Sequence, residues 1–152
     1  MLSSSHLSRL NAQPEDLIQI LSNIQPDMLE KEIQPGKWSI KANVAHLVRY
    51  QQESIQRVHS ILKLWEPNIK RYVAEDDEEF PAVLSLPTNA LVMHLKKDRI
   101  QFHNLLNSLT DEQLSRTGRH PVLGSLTLTE WIEFFLLHES HHMMTIFKLA
   151  HA

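Results

Sequence analysis

The chain has 152 residues, the length of one domain with a single core, so we treat residues 1–152 as one domain. Its net charge of −3 excludes a nucleic-acid binder that works through a basic patch, and the absence of cysteine excludes disulfides, thiolate metal ligands and cysteine nucleophiles. No apolar run is long enough to cross a bilayer and no secretory signal opens the chain, so we expect a cytoplasmic protein without a membrane partner.

The first two helices are predicted from apolar residues at helical spacing. The first runs from about Pro14 to Lys31, and Pro26 implies a break or kink within it. The second begins after Ser39, whose hydroxyl can accept a hydrogen bond from a free amide of the first turn, and it continues to about Trp65. It is the longest of the predicted helices.

The second half of the chain contains two more helices, each preceded by a connector. Residues 66–86 include an acidic run at 75–79 and show no clear period, so they predict a loop long enough for a crossover. The third helix runs from about Thr88 to Ser108, and residues 110–126 form the next connector. Thr127 and Glu130 form a capping-box pattern that opens the fourth helix.

No stretch shows a sustained alternation of apolar and polar residues, so no sheet is predicted. Four helices of this length in one domain predict an all-α fold, a four-helix bundle with a long crossover connection.

His138 and His142 form the most informative pattern of the chain. They are four residues apart, so on a helix they lie on one face and can chelate one metal ion. They fall in or beside an apolar stripe, where an unpaired imidazole costs about 1–3 kcal/mol. A hydrogen-bonded core histidine is the alternative for either residue. His141, displaced by one position, could be a ligand, a hydrogen-bond donor to a ligand, or exposed.

A catalytic metal site normally takes three protein ligands, so a third must come from another helix. The candidates are His46, His59, His94 and His103. His94 and His103 lie outside the apolar stripe of their helix, which favours solvent exposure, and His59 has polar neighbours. His46 points away from the main stripe of its helix, but it lies on the side of small residues that let another helix approach. His46 is therefore favoured, and the residues alone leave the choice open.

The ordered set of Pro35-Gly36-Lys37-Trp38-Ser39-Ile40, His46, His138 and His142 resembles the DinB-like superfamily. Within it, the chain is most similar to the YfiT-like group of metal-dependent hydrolases, which includes bacillithiol S-transferases. The similarity extends to Ile69-Lys70, Tyr72 and Glu75, and to Leu126-Thr127-Leu128, so it covers nearly the whole chain. The resemblance implies a four-helix bundle that holds a divalent metal, zinc, nickel or similar, on His46, His138 and His142.

The implied function is hydrolysis or low-molecular-weight thiol S-transfer on a small-molecule substrate such as a thiol. Three neutral imidazoles leave the ion its double charge and an open position, which serves either reaction. The family varies at Glu139 and often has glutamine or histidine in place of Thr145, so neither the substrate nor a general base follows from it. We also expect a homodimer.

Two other functions remain open. His138-Glu139-Ser140-His141-His142 fits the H-E-x-x-H pattern of zinc hydrolases, which would make Glu139 a catalytic base. However, the glycine and third histidine of the metzincin pattern are missing, and no strand is predicted to align a peptide. A non-catalytic metal-binding bundle is the second alternative.

Tyr50 and Arg57, near the His46 side of their helix, are candidates for pocket or packing residues, whereas Trp38 and Trp131 are expected to be core anchors.

Overall fold

The computed structural model describes residues Met1–Ala152, in which four long helices build the fold. In chain order the elements are α1 (Ser4–Ser22), α2 (Ile40–Lys63), α3 (Phe80–Leu84), α4 (Thr88–Asn107), α5 (Asp111–Leu114), β1 (Thr117–His120), β2 (Gly124–Thr127) and α6 (Leu128–Ala150). Short 3₁₀ turns lie at Pro26–Met28 and Ala74–Asp76. None of the helices combines the length and apolar character needed to span a membrane.

The long helices form a four-helix bundle, as predicted. Helices α1 and α2 each pack against both α4 and α6, so α1 and α2 stand at opposite corners. The N-terminal halves of α2 and α4 share one apolar cluster and their C-terminal halves share the other, so these two helices run parallel. Residues 64–87 must therefore return along the bundle, which confirms the long crossover connection. Helix α6 contributes to the two clusters in the reverse order and runs antiparallel to α2.

The predicted bounds of the first helix were wrong at both ends. Helix α1 begins at Ser4, ten residues before the predicted start, and it contains Pro14 in its interior. Proline lacks the amide that would bond to the carbonyl of Leu10 four residues earlier. That carbonyl instead accepts a hydrogen bond of 2.9 Å from Nη1 of Arg99 on α4, so a tertiary contact replaces the missing helical one. The helix ends at Ser22, before Pro26.

The starts of the two helices that carry the histidines agree with the sequence. Ser39 Oγ accepts from the amide of Ala42 at 3.0 Å at the start of α2. At the start of α6, Thr127 and Glu130 make both hydrogen bonds of a capping box. Because these caps fix where each helix begins, they also fix which side chains share a face.

The expectation that no strand would form was wrong. Strands β1 and β2 make a small antiparallel hairpin in which Thr117 pairs with Thr127. Each strand has only four residues, too few for an alternating pattern to be recognised. Tertiary contacts hold the hairpin: Trp131 Nε1 donates to the carbonyl of Gly118 at 3.1 Å. A Cβ on Gly118 would lie 2.8 Å from the side chain of Ile61, so glycine permits this close approach.

Candidate metal centre

The antiparallel packing of α2 and α6 brings His46 to His138 and His142. One ring nitrogen from each of the three lies within 4.8 Å of the other two. The Nε2 atoms of His46 and His138 are 3.3 Å apart. The rings form a compact group, with centroid separations of 4.4 Å for His46 and His142 and 4.7 Å for His138 and His142. The three residues singled out in the sequence therefore form one cluster.

The spacing suits a tetrahedral ion. Two nitrogen ligands at about 2.0–2.1 Å from zinc, separated by a tetrahedral angle, are about 3.3–3.4 Å from each other. The distance between the Nε2 atoms of His46 and His138 matches that value. This pair already has the separation of two ligands of one ion, and the nitrogen of His142 lies within 4.8 Å of both, so the residues present fit a divalent metal.

The surroundings keep all three imidazoles neutral at physiological pH. Burial, with a smaller effect of His142, lowers the pKa of His46 to about 3. Burial and the neighbouring histidines lower the pKa of His138 to about 2. Burial and then His141 lower the pKa of His142 to about 4. Neutral imidazoles offer the free lone pair that a metal ligand needs, so no proton must be displaced from an imidazolium.

Asn43 orients one of the rings. Its Oδ1 lies 2.9 Å from Nδ1 of His142, and because an amide oxygen only accepts, Nδ1 must be the protonated nitrogen. The Nδ2 group of Asn43 donates to the carbonyl of Ser39 at 3.0 Å, which fixes the amide orientation. The Nε2 lone pair of His142 is then free for a metal. The Nδ1 atoms of His46 and His138 are buried and have no protein partner.

The histidine cluster opens into a cavity of about 460 Å³ between the bundle, the 64–87 connector and the hairpin. Its aromatic residues surround the cluster: the ring centroids of Trp38, Tyr50 and Tyr72 lie 5.1, 5.7 and 5.5 Å from that of His46. Arg119 joins the hairpin to the connector, because its amide donates to the carbonyl of Pro67 and its carbonyl accepts from the amide of Ile69. The volume is in the range of small-molecule sites.

Tyr50 and Arg57 are both pocket and packing residues. The ring of Tyr50 stacks on His138 with a centroid distance of 3.7 Å. Its hydroxyl accepts from Nη1 of Arg57 at 3.0 Å, and Nη2 of Arg57 donates to the carbonyl of Lys70 at 3.0 Å. Both side chains line the cavity. The expectation that Trp38 and Trp131 are core anchors holds for Trp131, which is fully buried, whereas Trp38 is half-buried in the cavity wall.

The side chain of Glu139, the candidate catalytic base, points away from the cavity beside the histidine cluster. It is buried, forms an ion pair with Arg99, and does not line the cavity. Its other oxygen, Oε1, has no hydrogen-bond partner. Adjacent residues on a helix point about 100° apart, so the carboxylate next to His138 faces the space between the helices. The arrangement gives Glu139 a role in packing.

The other histidines considered in the sequence lie outside the ligand group. His59 and His94 are exposed, and His103 is half-buried on α4. His141 is exposed, with a ring centroid 5.3 Å from that of His142, and it lies outside the ligand group.

Sequence reasoning missed several residues of the site. Asn43 could have been found, since it precedes His46 by three residues and therefore lies on the same side of α2. His120 on the hairpin and Arg71 in the connector also line the cavity. Nothing in their local sequence signals this, because both belong to segments without a recognisable period.

Two bacterial proteins are similar to this chain over most of its length. A protein of Bacillus cereus strain 03BB102, named "Putative metal-dependent hydrolase", is 29% identical over 136 residues, which are 90% of this chain and 78% of that protein. A protein of the same name from Bacillus anthracis strain A0248 shows the same identity and coverage.

Two solved structures share the fold. YfiT from Bacillus subtilis, a four-helix bundle of unusual topology, superposes with a TM-score of 0.83 at 21% identity and covers 99% of this chain and 89% of its own. The mycothiol-dependent maleylpyruvate isomerase superposes with a TM-score of 0.75 at 12% identity over 93% of this chain and 59% of its own. The sequence model of the DinB superfamily matches residues 9–146, nearly the whole chain. By its sequence and its fold, this chain belongs to the DinB superfamily.

Proposed function

We propose that this protein is a metal-dependent enzyme that holds a divalent ion on His46, His138 and His142 and transfers a low-molecular-weight thiol to an electrophile. The observation that carries the proposal is the geometry of three neutral imidazoles at the inner end of a cavity. A site that used four protein ligands would have no room for a substrate, whereas three leave a position facing the cavity.

The ion and the residues around it would contribute different parts of the chemistry. A divalent ion at this position supplies Lewis acidity, which lowers the pKa of a bound water or thiol into the physiological range. Asn43 holds the ring of His142 in one tautomer and orientation. The aromatic rings of Trp38 and Tyr72 beside His46 give the histidine cluster an apolar wall, against which electrostatic interactions are stronger than in bulk water.

Thiol transfer is compatible with a site in which no carboxylate lies beside the histidines. Glu75 is the one carboxylate that lines the cavity, and it is exposed. A thiol whose pKa has been lowered can lose its proton to solvent, so it needs no adjacent base. Bacillithiol, a thiol implied by the resemblance, is the first compound to test, and the shared fold of the mycothiol-dependent isomerase supports the choice.

Hydrolysis is the second candidate, and the name of the Bacillus relatives supports it. In that case Glu75 or solvent would accept the proton of the attacking water.

The ligand set is tested by metal content. His46→Ala and His142→Ala each remove one of three ligands, so we expect both purified variants to lose stoichiometric metal, measured by elemental analysis. His59→Ala removes an exposed histidine outside the cluster and should keep the wild-type content. Full metal content in both cluster variants would overturn the proposed ligand set.

The reaction is tested on the metal-loaded protein. We expect conjugation of bacillithiol or a related thiol to 1-chloro-2,4-dinitrobenzene, in which a sulfur–carbon bond forms and chloride leaves, with rates followed by absorbance. His138→Ala should abolish the enzymatic rate. Turnover of ester or amide substrates without thiol conjugation would favour the hydrolase, and metal binding without any turnover would favour a non-catalytic bundle.

A further inference from the structure

A second group of polar side chains lies at the start of α1, away from the histidine cluster. Ser3 caps α1, and His6 and Arg9 lie in its first two turns. Glu133 lies on α6, 124 residues after Arg9, so the group forms only where α1 packs against α6. None of these residues lines the cavity beside the histidine cluster. Any chemistry of the group is therefore separate from that of the metal centre.

Hydrogen bonds connect three of these side chains in a row. Oε2 of Glu133 lies 2.9 Å from Nε2 of His6, and because a carboxylate only accepts, Nε2 must carry a proton. In the neutral ring Nδ1 is then an acceptor, and it lies 2.7 Å from Oγ of Ser3. The hydroxyl of Ser3 therefore donates to Nδ1. A serine that donates to a histidine, whose second nitrogen donates to a carboxylate, is the arrangement that activates a serine nucleophile.

Arg9 keeps the carboxylate of Glu133 ionised and fixes its direction. Nη1 of Arg9 donates to Oε1 and Nη2 donates to Oε2, both at 2.7 Å. These hydrogen bonds lower the pKa of Glu133, and burial opposes them with a smaller effect. Two charge-assisted bonds of this kind restrict both the position and the plane of a carboxylate. Glu133 can therefore hold the ring of His6 with Nδ1 directed at Ser3.

The serine of this group is open to solvent, whereas its histidine is sheltered. Ser3 is exposed, and its neighbours Ser4 and Ser5 are small and exposed as well. The side chain of His6 is only 13% exposed, and both of its ring nitrogens have hydrogen-bond partners. A small reagent can thus reach the hydroxyl of Ser3 while the ring of His6 keeps one orientation.

The start of α1 supplies donors for a developing negative charge. The amide of His6 donates to Oγ of Ser3 at 3.1 Å, and the amide of Leu7 donates to the carbonyl of Ser3 at 3.2 Å. The amides of Ser4 and Ser5 have no acceptor, as is usual in the first turn of a helix. Where a nucleophilic serine opens a helix, the amide of the next residue is a typical oxyanion donor. Ser4 occupies that position, at the positive end of the helix dipole.

We propose that this group is a second catalytic site, which hydrolyses small activated acyl esters with Ser3 as nucleophile, His6 as base and Glu133 as the residue that positions the base. Oγ of Ser3 attacks the ester carbonyl while its proton moves to Nδ1 of His6. The bond to the alcohol then breaks, the alcohol leaves with that proton, and the acyl group stays on Ser3. Water attacks the acyl group while His6 again accepts a proton. The carboxylic acid leaves and the proton returns to Oγ.

The exposure of Ser3 defines the class of substrate. An exposed hydroxyl makes few contacts with a substrate, so the reactivity of the ester decides what reacts more than its shape does. Esters with a small acyl group and a good leaving group are therefore the expected substrates, and water is the one co-reactant.

The nucleophile is tested on the full chain with a fluorophosphonate probe, which forms a bond between phosphorus and an activated serine oxygen and releases fluoride. Peptide mass spectrometry identifies the labelled residue. We expect label on Ser3 and none on Ser8, an exposed serine of the same helix, or on Ser39, the cap of α2. His6→Gln should lower the labelling rate about 100-fold or more, because a general base typically contributes about 10²–10⁴-fold. Label on other serines instead of Ser3, or an unchanged rate in His6→Gln, would overturn the proposal.

The role of Glu133 is tested by the dependence of the labelling rate on probe concentration. Glu133→Gln keeps the size of the side chain and removes the charge that stabilises a protonated His6, so we expect the maximal labelling rate to fall about tenfold or more. The probe concentration that gives half of the maximal rate should stay unchanged. Glu15→Gln makes the same change in charge at an exposed glutamate of α1 and should have no effect. An unchanged maximal rate in Glu133→Gln would contradict its positioning role.

Turnover is tested with p-nitrophenyl acetate in a His138→Ala background, so that hydrolysis at the metal centre does not contribute. Ser3→Asn keeps a capping side chain at the start of α1, and circular dichroism checks that this variant is folded. We expect the background protein to release p-nitrophenol over many turnovers and Ser3→Asn to release it no faster than buffer. Equal rates with and without Ser3, or a single stoichiometric burst, would overturn hydrolysis at this site. Metal content in the histidine variants tests the metal centre separately.

Discussion

At the scale of single residues, Asn43 has the clearest consequence. Its amide oxygen fixes His142 with Nδ1 protonated, so that Nε2 presents its lone pair to the site. Loss of such a partner typically weakens metal affinity about 10–100-fold. We expect Asn43→Ala to show a loss of this size when zinc is titrated against a competing chelator.

Two further variants give this prediction its controls. Asn43→Asp retains an oxygen acceptor for the ring of His142 and should keep most of the affinity. Asn104→Ala changes an exposed asparagine on α4 and should leave the affinity unchanged. If Asn43→Ala binds zinc as tightly as the wild type, the hydrogen bond does not orient the ligand.

The sequence predicted the histidines of the site better than their surroundings. The four-residue spacing of His138 and His142 is a local pattern, and a helix converts it directly into a shared face. The residues alone left His46 among four candidates, since its distance to α6 depends on how two helices pack. The direction of the Glu139 side chain could not be predicted either, because its partner Arg99 lies 40 residues away in the sequence.

At the scale of elements, a buried polar network joins the four long helices. Arg99 on α4 donates to Gln51 on α2, to the carbonyl of Leu10 on α1 and to Glu139 on α6. Removing one member of a buried ion pair leaves an unpaired charge and usually costs about 3–5 kcal/mol. We expect Glu139→Ala to lower the free energy of unfolding by about that amount in urea, while the metal content of the folded protein stays unchanged.

The companion variant replaces both charges. Arg99→Met with Glu139→Leu removes the pair together with its desolvation cost and should recover part of the lost stability, since the carbonyl of Leu10 and Gln51 also lose their donor. If Glu139→Ala is as stable as the wild type but inactive, Glu139 takes part in the chemistry and the H-E-x-x-H interpretation regains support.

Elements with local signals were predicted well, and those held by distant contacts were not. The starts of α2 and α6 follow from Ser39 and Thr127, whose caps involve residues only three positions away. The continuation of α1 through Pro14 depends on Arg99, 89 residues from Leu10, and no local rule anticipates it. The hairpin likewise depends on packing against α6 through Trp131.

At the scale of the whole molecule, the proposed metal centre connects two helices that are already packed. Two apolar clusters hold the bundle together without the ion, so we expect a metal-free protein to keep its helical circular dichroism. A ligand at a free concentration one hundred times its dissociation constant adds about 2.7 kcal/mol. For a chain of this size, removal of metal with EDTA should then lower the melting temperature by about 5–10 °C.

Readdition of zinc provides the control, because it should restore the melting temperature of the wild type but not that of His142→Ala. Loss of helical signal at 25 °C on metal removal would show instead that the ion is required for folding.

The homodimer stays a prediction, and sedimentation velocity would distinguish it from a monomer of 17.7 kDa.

The separation of the proposed ligands along the chain also sets an order of events in time. His46 and His138 are 92 residues apart, and the crossover connection lies between them. A newly collapsed chain can form individual helices quickly from local contacts, but these two residues meet only when α2 and α6 have docked. The proposed metal site should therefore arise late in folding, and the rate of metal uptake by a refolding chain should report the final docking of the bundle.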